Sequence, residues 1–517
     1  MNKLLKSKRI QNNKLPLLLL PLFLSSIINT WNITGFPNIH VDEGYHMWKV
    51  MSILQGEGLL TTDSYLDSYF APYFGQIFLA GILGMIGYPD IVHPTLNTAS
   101  IESIYLIPRL VMSIFAIIDT FLIFKIAEKR YSTKIAFIAA VLFAVMPYGW
   151  LLKRIFLETI QLPMLLTSIL LVLYLKKIPA EIKTTKTEIK NTILILFSGV
   201  LLGLAIFTKI PIFAMIPLIG YLIYTNTNKN NNNKFKSIGL WLIPVILIPM
   251  LWPAFAFSIG EFDKWIEDVL QQTQRESKPL INTLTTYLEN DPAMFLLGFA
   301  GIVNAAIRRD YFILLFSIPF LLFLQWIGYV SSFHIIPLFP VFAIGSAKLI
   351  IDLSNLIPKV KIRNSLPYLI LSAIAVFSLV STFLLISIDT NSLVFQTQLA
   401  ITEELQKTNG TITLVGNALY LWIPHYIFDL PYKTISFDST KPLDTEHFIL
   451  IGDPRYETII KENSPRGIFH KALFLQSHIV ETIKPDHPIK KYKIKIYPYT
   501  NLRQSSIIRD VEIRSNY

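Results

Sequence analysis

Ala71-Pro72-Tyr73-Phe74-Gly75-Gln76-Ile77-Phe78-Leu79-Ala80-Gly81-Ile82-Leu83-Gly84-Met85-Ile86-Gly87-Tyr88 is the stretch that decides how this chain is threaded. It is apolar enough to read as a membrane span, yet it holds five Gly and Pro residues. Eleven other apolar runs begin near Leu15, Pro108, Lys134, Glu158, Asn191, Ile210, Ser237, Pro292, Tyr311, Ile335 and Leu366. Each reaches the roughly 17–20 residues that a hydrocarbon core of about 30 Å requires. If Ala71–Tyr88 crossed as well, every later loop would change sides. The basic residues argue against that. With the stretch kept out of the membrane, the N-terminus and the loops near 125–134, 176–190, 224–236, 308–309 and 348–363 share one side and carry 23 Lys and Arg, against 8 on the other side before residue 388. Cytoplasmic loops carry such an excess. The segment is therefore expected as a juxtamembrane helix on the outer face of a multi-pass cell-membrane protein with a cytoplasmic N-terminus.

Composition supports this reading. Of 517 residues 52% are hydrophobic and only 16% charged, and mean hydropathy is +0.48. The net charge of +11 comes from Lys and Arg between apolar runs, where they set topology. Nucleic acid is not an expected partner. There is no Cys, which excludes disulfides, thiolate nucleophiles and Cys-based metal sites. The basic start and the apolar run Leu15–Trp31 have the outline of a signal peptide, but Asn32-Ile33-Thr34-Gly35-Phe36-Pro37 offers no small-x-small cleavage site, so an uncleaved first span is expected.

Two domains follow. Residues 1–387 form the membrane unit, with a first outer loop at 32–107 that carries seven acids. Residues 388–517 form a small extracytoplasmic α/β domain of ordinary domain size. Its β-branched runs Thr411–Val415, Lys433–Phe437 and His447–Ile451 alternate with helical stretches such as Leu399–Lys407. The inner stretch Thr225–Lys234 is Asn-rich and reads as a linker. The expected fold is thus an all-α polytopic membrane protein of about eleven helices with an outward α/β appendage.

Few residues carry chemistry. The first outer loop opens His40-Val41-Asp42-Glu43-Gly44-Tyr45-His46. Paired acids here suit a helix start; they also suit a general base facing an acceptor hydroxyl at the membrane surface. Arg154 and Glu158, four apart after Pro147-Tyr148-Gly149-Trp150, share a helix face and can pair, or Arg154 can receive a lipid phosphate. Lys209 is a lone outward Lys between two apolar runs, either snorkelling or functional. His334 opens the tenth span ahead of Pro337 and Pro340. Asp119, mid-span, is expected to bond to neighbouring helices. No His/Asp cluster has ligand spacing, so neither metal nor other cofactor is expected.

Taken together and in order, the Asp42-Glu43 pair, the segment Pro72–Gln76, Arg109 opening the second span, Arg154 with Glu158, Lys209, and His334 with Pro337 and Pro340 resemble the GT-C superfamily of glycosyltransferases. Within it the chain resembles the dolichyl-phosphate-mannose-protein mannosyltransferase and aminoarabinose-transferase branch over about residues 10–350. The resemblance implies a polyprenyl- or dolichyl-phosphate sugar donor, a protein or lipid acceptor, and an inverting transfer on the outer face. It places Asp42 at the catalytic acid position, with Glu43 beside it, and Arg154, Lys209 and Arg109 near the donor phosphate. Tyr45, His46, Glu158 and His334 are then substrate-binding candidates. Two departures blur the subfamily. Ala71-Pro72-Tyr73 keeps one of two usual Pro residues, and Glu158 stands where many members have Asp. The rival readings are a transporter or flippase of lipid-linked sugars, which would show repeated halves, and an oligosaccharyltransferase-like enzyme, whose acceptor-recognition motif is not found in residues 388–517.

Overall fold

The computed structural model describes residues 15–58, 69–176, 185–227, 231–273, 275, 277–408, 411–437, 440, 442–484 and 510–517. The apolar runs are helices: α1 (Leu15–Thr30), α2 (Val41–Leu54), α3 (Phe74–Met85), α4 (Thr98–Arg130), α5 (Thr133–Val145), α6 (Leu157–Leu173), α7 (Thr185–Thr208), α8 (Ile216–Asn226), α9 (Asn231–Leu247), α10 (Leu251–Ser258), α11 (Phe262–Thr273), α12 (Leu280–Asn290), α13 (Pro292–Arg308), α14 (Tyr311–Ile327), α15 (Phe339–Asn355) and α16 (Val360–Ile386). Among the described residues five helices are long and apolar enough to cross a membrane, or six if α5 and the 3-10 turn Pro147–Lys153, bent by 72°, count as one. The other apolar helices, including α1, α6, α13 and α14, have 10–17 residues. Proline is the recurrent reason for breaks: Pro147, Pro211 and Pro337 lie in the 3-10 turns that interrupt the apolar runs.

The stretch Ala71–Tyr88 forms only the 12 residues of α3. At 1.5 Å per residue that is about 18 Å, well short of a crossing. Its Gly75 lets it lie against α6 and α7, since a Cβ there would sit 2.6 Å from Leu157 Cδ2 and 2.9 Å from Thr208 Cγ2. The second apolar run starts earlier than expected: α4 begins at Thr98, ten residues before Pro108, capped by Asn97, which accepts from Ser100 N at 2.8 Å. Two expectations fail. Neither Asp119 oxygen has a hydrogen-bond partner among the described residues, although the side chain is fully buried. The Asn-rich linker is shorter than Thr225–Lys234, with α8 running to Asn226 and α9 starting at Asn231, where Lys234 lies 4.1 Å from the Tyr224 ring centroid; residues 228–230 are outside the described residues.

After α17 (Ser392–Lys407) come β1 (Thr413–Gly416), α18 (Ala418–Tyr426), β2 (Lys433–Ser436), β3 (Phe448–Gly452), α19 (Pro454–Ile459), α20 (Pro465–Gln476), β4 (His478–Ile483) and β5 (Val511–Ser515). The strands form one mixed sheet in the order β2-β1-β3-β5-β4. β1 is parallel to β2 and β3, whereas β5 is antiparallel to β3 and β4. β1 and β3 are buried throughout, as central parallel strands covered on both faces must be. The domain is joined to the membrane unit by polar contacts. Trp422 Nε1 and Gln398 Nε2 donate to the Tyr105 hydroxyl at 3.1 and 3.0 Å, on the part of α4 that precedes Pro108. Asn391 donates to Thr34 O and Pro37 O and accepts from Ile39 N, which fixes the start of the first loop.

Candidate active site

The site starts from the cap of α2. His40 precedes the helix in extended conformation, and its Nδ1 accepts from Asp42 N at 3.2 Å. Glu43 folds back to accept from His40 N at 2.9 Å, completing a capping box. This turns two adjacent acids in opposite directions. Glu43 is fully buried: Arg109 donates to it twice, at 3.1 and 2.9 Å, and Ile155 N donates at 3.2 Å. Arg109 also donates to Ile33 O and Pro37 O and is fully buried. Its guanidinium is enclosed by protein acceptors, so the expectation that it meets a donor phosphate does not fit its surroundings. Burial works to raise the Glu43 carboxyl, but Arg109, Arg154 and the His40 N–H outweigh it and hold the group below the usual carboxylate range.

Asp42 points outward, with 40% of its side chain exposed. His40 Nδ1 is 3.7 Å from its Oδ2. Burial works to raise this carboxyl too, while the charges of His40, His46, Lys209 and Arg275 hold it below the usual range. His46, one turn along α2, is buried, with Nδ1 3.3 Å from the side-chain amide of Gln76 on α3. Desolvation pulls it down to about 4, so it is neutral at physiological pH. Tyr45 is partly exposed, its ring 5.6 Å from that of His46.

A second charged group lies where three interrupted helices meet. Glu158 is in the first turn of α6, Lys209 follows α7, and His334 sits in the 3-10 turn Ser332–Leu338. Lys209 Nζ is 3.2 Å from Glu158 Oε1, and His334 Nε2 is 4.0 Å from the same oxygen. His334 is oriented by its other nitrogen, which accepts from Ser331 N at 3.1 Å. Lys209 keeps 21% of its side chain exposed and lies 5.3 Å from the Phe333 ring centroid. Phe333 packs on Phe156 at 4.8 Å, and both rings pack on His40. One aromatic wall therefore runs from the His40 cap beside Asp42 to the Lys209 end.

Arg154 stands behind that wall, 5% exposed, over Trp150 and Phe156 and hydrogen-bonded to the Asn38 side chain. Its Nε has no hydrogen-bond partner among the described residues and is 4.0 Å from Glu43. The structure thus brings Asp42, His46, Arg154, Glu158, Lys209 and His334 to one region and withdraws Glu43 and Arg109 into its support. Sequence reading passed over four participants: His40 as a cap, Asn38, Gln76 and Arg275. A His three residues before a Glu at a helix start carries a usable capping signal; the other three meet the site only through tertiary packing. Among the described residues no group of three or more His, Asp or Glu side chains is arranged to hold a metal ion.

The model of the dolichyl-phosphate-mannose-protein mannosyltransferase family matches residues 96–252, which carry Arg109, Arg154, Glu158 and Lys209. No curated protein matches the chain in sequence. In fold it is similar to ArnT from Cupriavidus metallidurans bound to undecaprenyl phosphate, at 12% identity and a TM-score of 0.57, covering 96% of this chain and 98% of that one. It is also similar to the Archaeoglobus fulgidus oligosaccharyltransferase tethered with an acceptor peptide, at 12% identity and a TM-score of 0.57, covering 90% of this chain and 72% of that one. The archaeal oligosaccharyltransferase AglB from Archaeoglobus fulgidus, in complex with an inhibitory peptide and a dolichol-phosphate, matches with a TM-score of 0.54 at 12% identity, covering 86% of this chain and 71% of that one. Residues 96–252 thus match the dolichyl-phosphate-mannose-protein mannosyltransferase family, and the chain as a whole shares the fold of ArnT and of the archaeal oligosaccharyltransferase.

Proposed function

We propose that this protein transfers a sugar, with inversion, from a polyprenyl- or dolichyl-phosphate donor to a hydroxyl of a protein or lipid acceptor on the outer membrane face, with Asp42 as the base. The observation that supports it most directly is the contrast at the head of α2: Glu43 is closed into the protein, whereas Asp42 is ionised, partly exposed and at the other end of one aromatic wall from Lys209. The acceptor oxygen attacks the anomeric carbon as the bond from that carbon to the phosphate oxygen breaks. The phosphate leaves with the bonding pair, and Asp42 takes the hydroxyl proton. A phosphate is already a weak base, so no general acid is needed. An oxocarbenium-like transition state acidifies the attacking hydroxyl, so a base of low pKa suffices.

Lys209, held by Glu158, is the cation we assign to the departing phosphate, with Arg154 as a second. Glu43 and Arg109 act as positioning residues, because they hold the cap that aims Asp42. Eleven crossings with α3 at the outer surface would put all of these groups on one face, with the C-terminal domain above them. A membrane transfer assay with a panel of radiolabelled polyprenyl-phosphate sugars tests the reaction: label should reach an acceptor with wild-type protein and not with Asp42→Asn, and equal labelling by both would remove Asp42 as base. Orientation is checked by single cysteines introduced at Asn97, Asn463 and Lys359 in this Cys-free chain. An impermeant thiol reagent on intact cells should label the first two and not the third.

A further inference from the structure

In doubly wound sheets, ligands bind outside the carboxyl ends of strands whose connections leave in opposite directions. Here those strands are β1, whose chain goes through α18 to β2, and β3, whose chain goes through α19 and α20 toward β4 at the far edge. Asn417 and Asp453 follow them directly and cap the next helices, accepting from Leu419 N and Tyr456 N. This edge does not face open solvent. A Cβ on Gly44 would lie 2.5 Å from Leu419 Cα and 2.6 Å from Ala418 O. Farther along, Trp48 stacks on His425 at 5.7 Å and Gln55 donates to Tyr426 O at 3.0 Å. Contacts 44 to 418–419, 48 to 425 and 55 to 426 mean that α18 runs parallel to α2. The strand ends that precede α18 therefore lie beside the N-terminal end of α2, where His40 and Asp42 are.

We infer that the C-terminal domain forms the outer wall of the acceptor site, with Arg455 at this strand edge receiving an acidic group on the hydroxyl-bearing acceptor while Asp42 takes its proton. This rests on the reaction proposed above. Arg455 is exposed, three residues beyond the end of β3. It also acts on the cap of α2: burial comes first in pulling His40 below its ordinary value, and Arg154 and Arg455 add to it against Asp42 and Glu43. Between α11 and α12 the exposed groups Arg275 and Lys278 are cationic as well, and Arg275 acts on Asp42. An entrance with cations on both rims and one outward carboxylate selects a hydroxyl beside an anion, and a guanidinium fork suits a carboxylate or phosphate.

The test uses the full chain in membranes of a strain lacking it, which supply the acceptors, with a radiolabelled polyprenyl-phosphate sugar as donor. Titrating acceptor membranes at fixed donor, Arg455→Ala should raise the half-saturating acceptor level about tenfold, the loss of one charge-assisted hydrogen bond. Half-saturating donor should stay the same, and Arg455→Lys should recover part of the loss. Wild-type transfer should weaken with added salt, and Arg455→Ala transfer should weaken less. Unchanged acceptor dependence in Arg455→Ala, or an equal change in donor dependence, overturns the inference and leaves the reaction standing. No transfer by wild type with any donor overturns the reaction itself, and this inference with it.

Discussion

Two carboxylate–cation pairs, Glu43 with Arg109 and Glu158 with Lys209, are built to opposite ends. Glu43 and Arg109 have no exposed side-chain surface, and their hydrogen bonds end on each other, on two backbone N–H groups and on two carbonyls. Glu158 and Lys209 leave the ammonium partly open, with one lateral contact to His334 and an aromatic ring beneath. A closed pair has no capacity for a substrate, and breaking it leaves an uncompensated charge. An open pair holds a cation ready without consuming all its donors. Asp42 belongs with the open group although its chain neighbour belongs with the closed one.

The largest effect should come from the outward acid. Asp42→Asn keeps shape and most hydrogen bonding but cannot accept a proton, and should cut turnover by roughly 10²–10⁴-fold. Folded yield and donor binding should be unchanged, measured on purified protein in nanodiscs. Wild-type turnover in Asp42→Asn would put both groups on the same, structural footing.

The closed pair should break in the other manner. Arg109→Met leaves Glu43 buried without its main partner, at a cost of about 3–5 kcal/mol of stability. Folded yield and thermal midpoint in detergent should fall together. Glu43→Gln, which retains hydrogen-bonding capacity, should fall less, and the double variant Glu43→Gln/Arg109→Met should recover part of the loss. Surviving folded protein should lose turnover only through misaim of Asp42. An Arg109→Met protein of normal stability and poor donor binding would reverse the assignment.

Much of this was legible in the chain, for identifiable reasons. The apolar runs gave helix positions because a 30 Å core leaves few alternatives, and α3 was separable from the spans because basic residues mark the sides. The short runs of β-branched residues located β1, β2 and β3 within two residues. What local sequence could not show was direction. Asp42 and Glu43 look alike until the His40 cap turns one inward. Arg109 looks like a membrane-edge cation until Ile33 O, Pro37 O and Glu43 enclose it. Likewise the junction of α18 with α2 joins residues as far apart in the chain as Gln55 and Tyr426, 371 positions, which no local pattern reports.

The open pair gives a smaller effect. Lys209→Met keeps the apolar stem over Phe333 and removes the charge, and should lower transfer by roughly one to two orders of magnitude through weaker hold on the leaving phosphate. Lys209→Arg should retain more, since the charge remains within reach of Glu158. The readout is donor dependence at saturating acceptor. Full activity in Lys209→Met would make Lys209 a snorkelling residue and leave Arg154 as the phosphate cation.

The smallest expected effect, and the finest test of the contrast, is pH. Asp42 acts as a base only when deprotonated, so activity is present above its pKa and lost as pH falls through it. That pKa is held below the usual carboxylate range, and the nearby His46 titrates at about 4. Transfer rate should therefore be flat between about pH 5.5 and 8 and decline only below the ordinary carboxylate value of about 4. Glu43 obeys the same sign in stability: its folded pKa is depressed, so its contribution is present above the unfolded value and lost as pH falls through the folded one. The two losses separate by reversibility. Brief acid exposure that protonates exposed Asp42 should be undone at once on return to neutral pH, whereas protonation of enclosed Glu43 requires its pair with Arg109 to open and should appear as slow or incomplete recovery. A rate that falls between pH 6 and 7 would mean that a neutral-range group, and not Asp42, is the base.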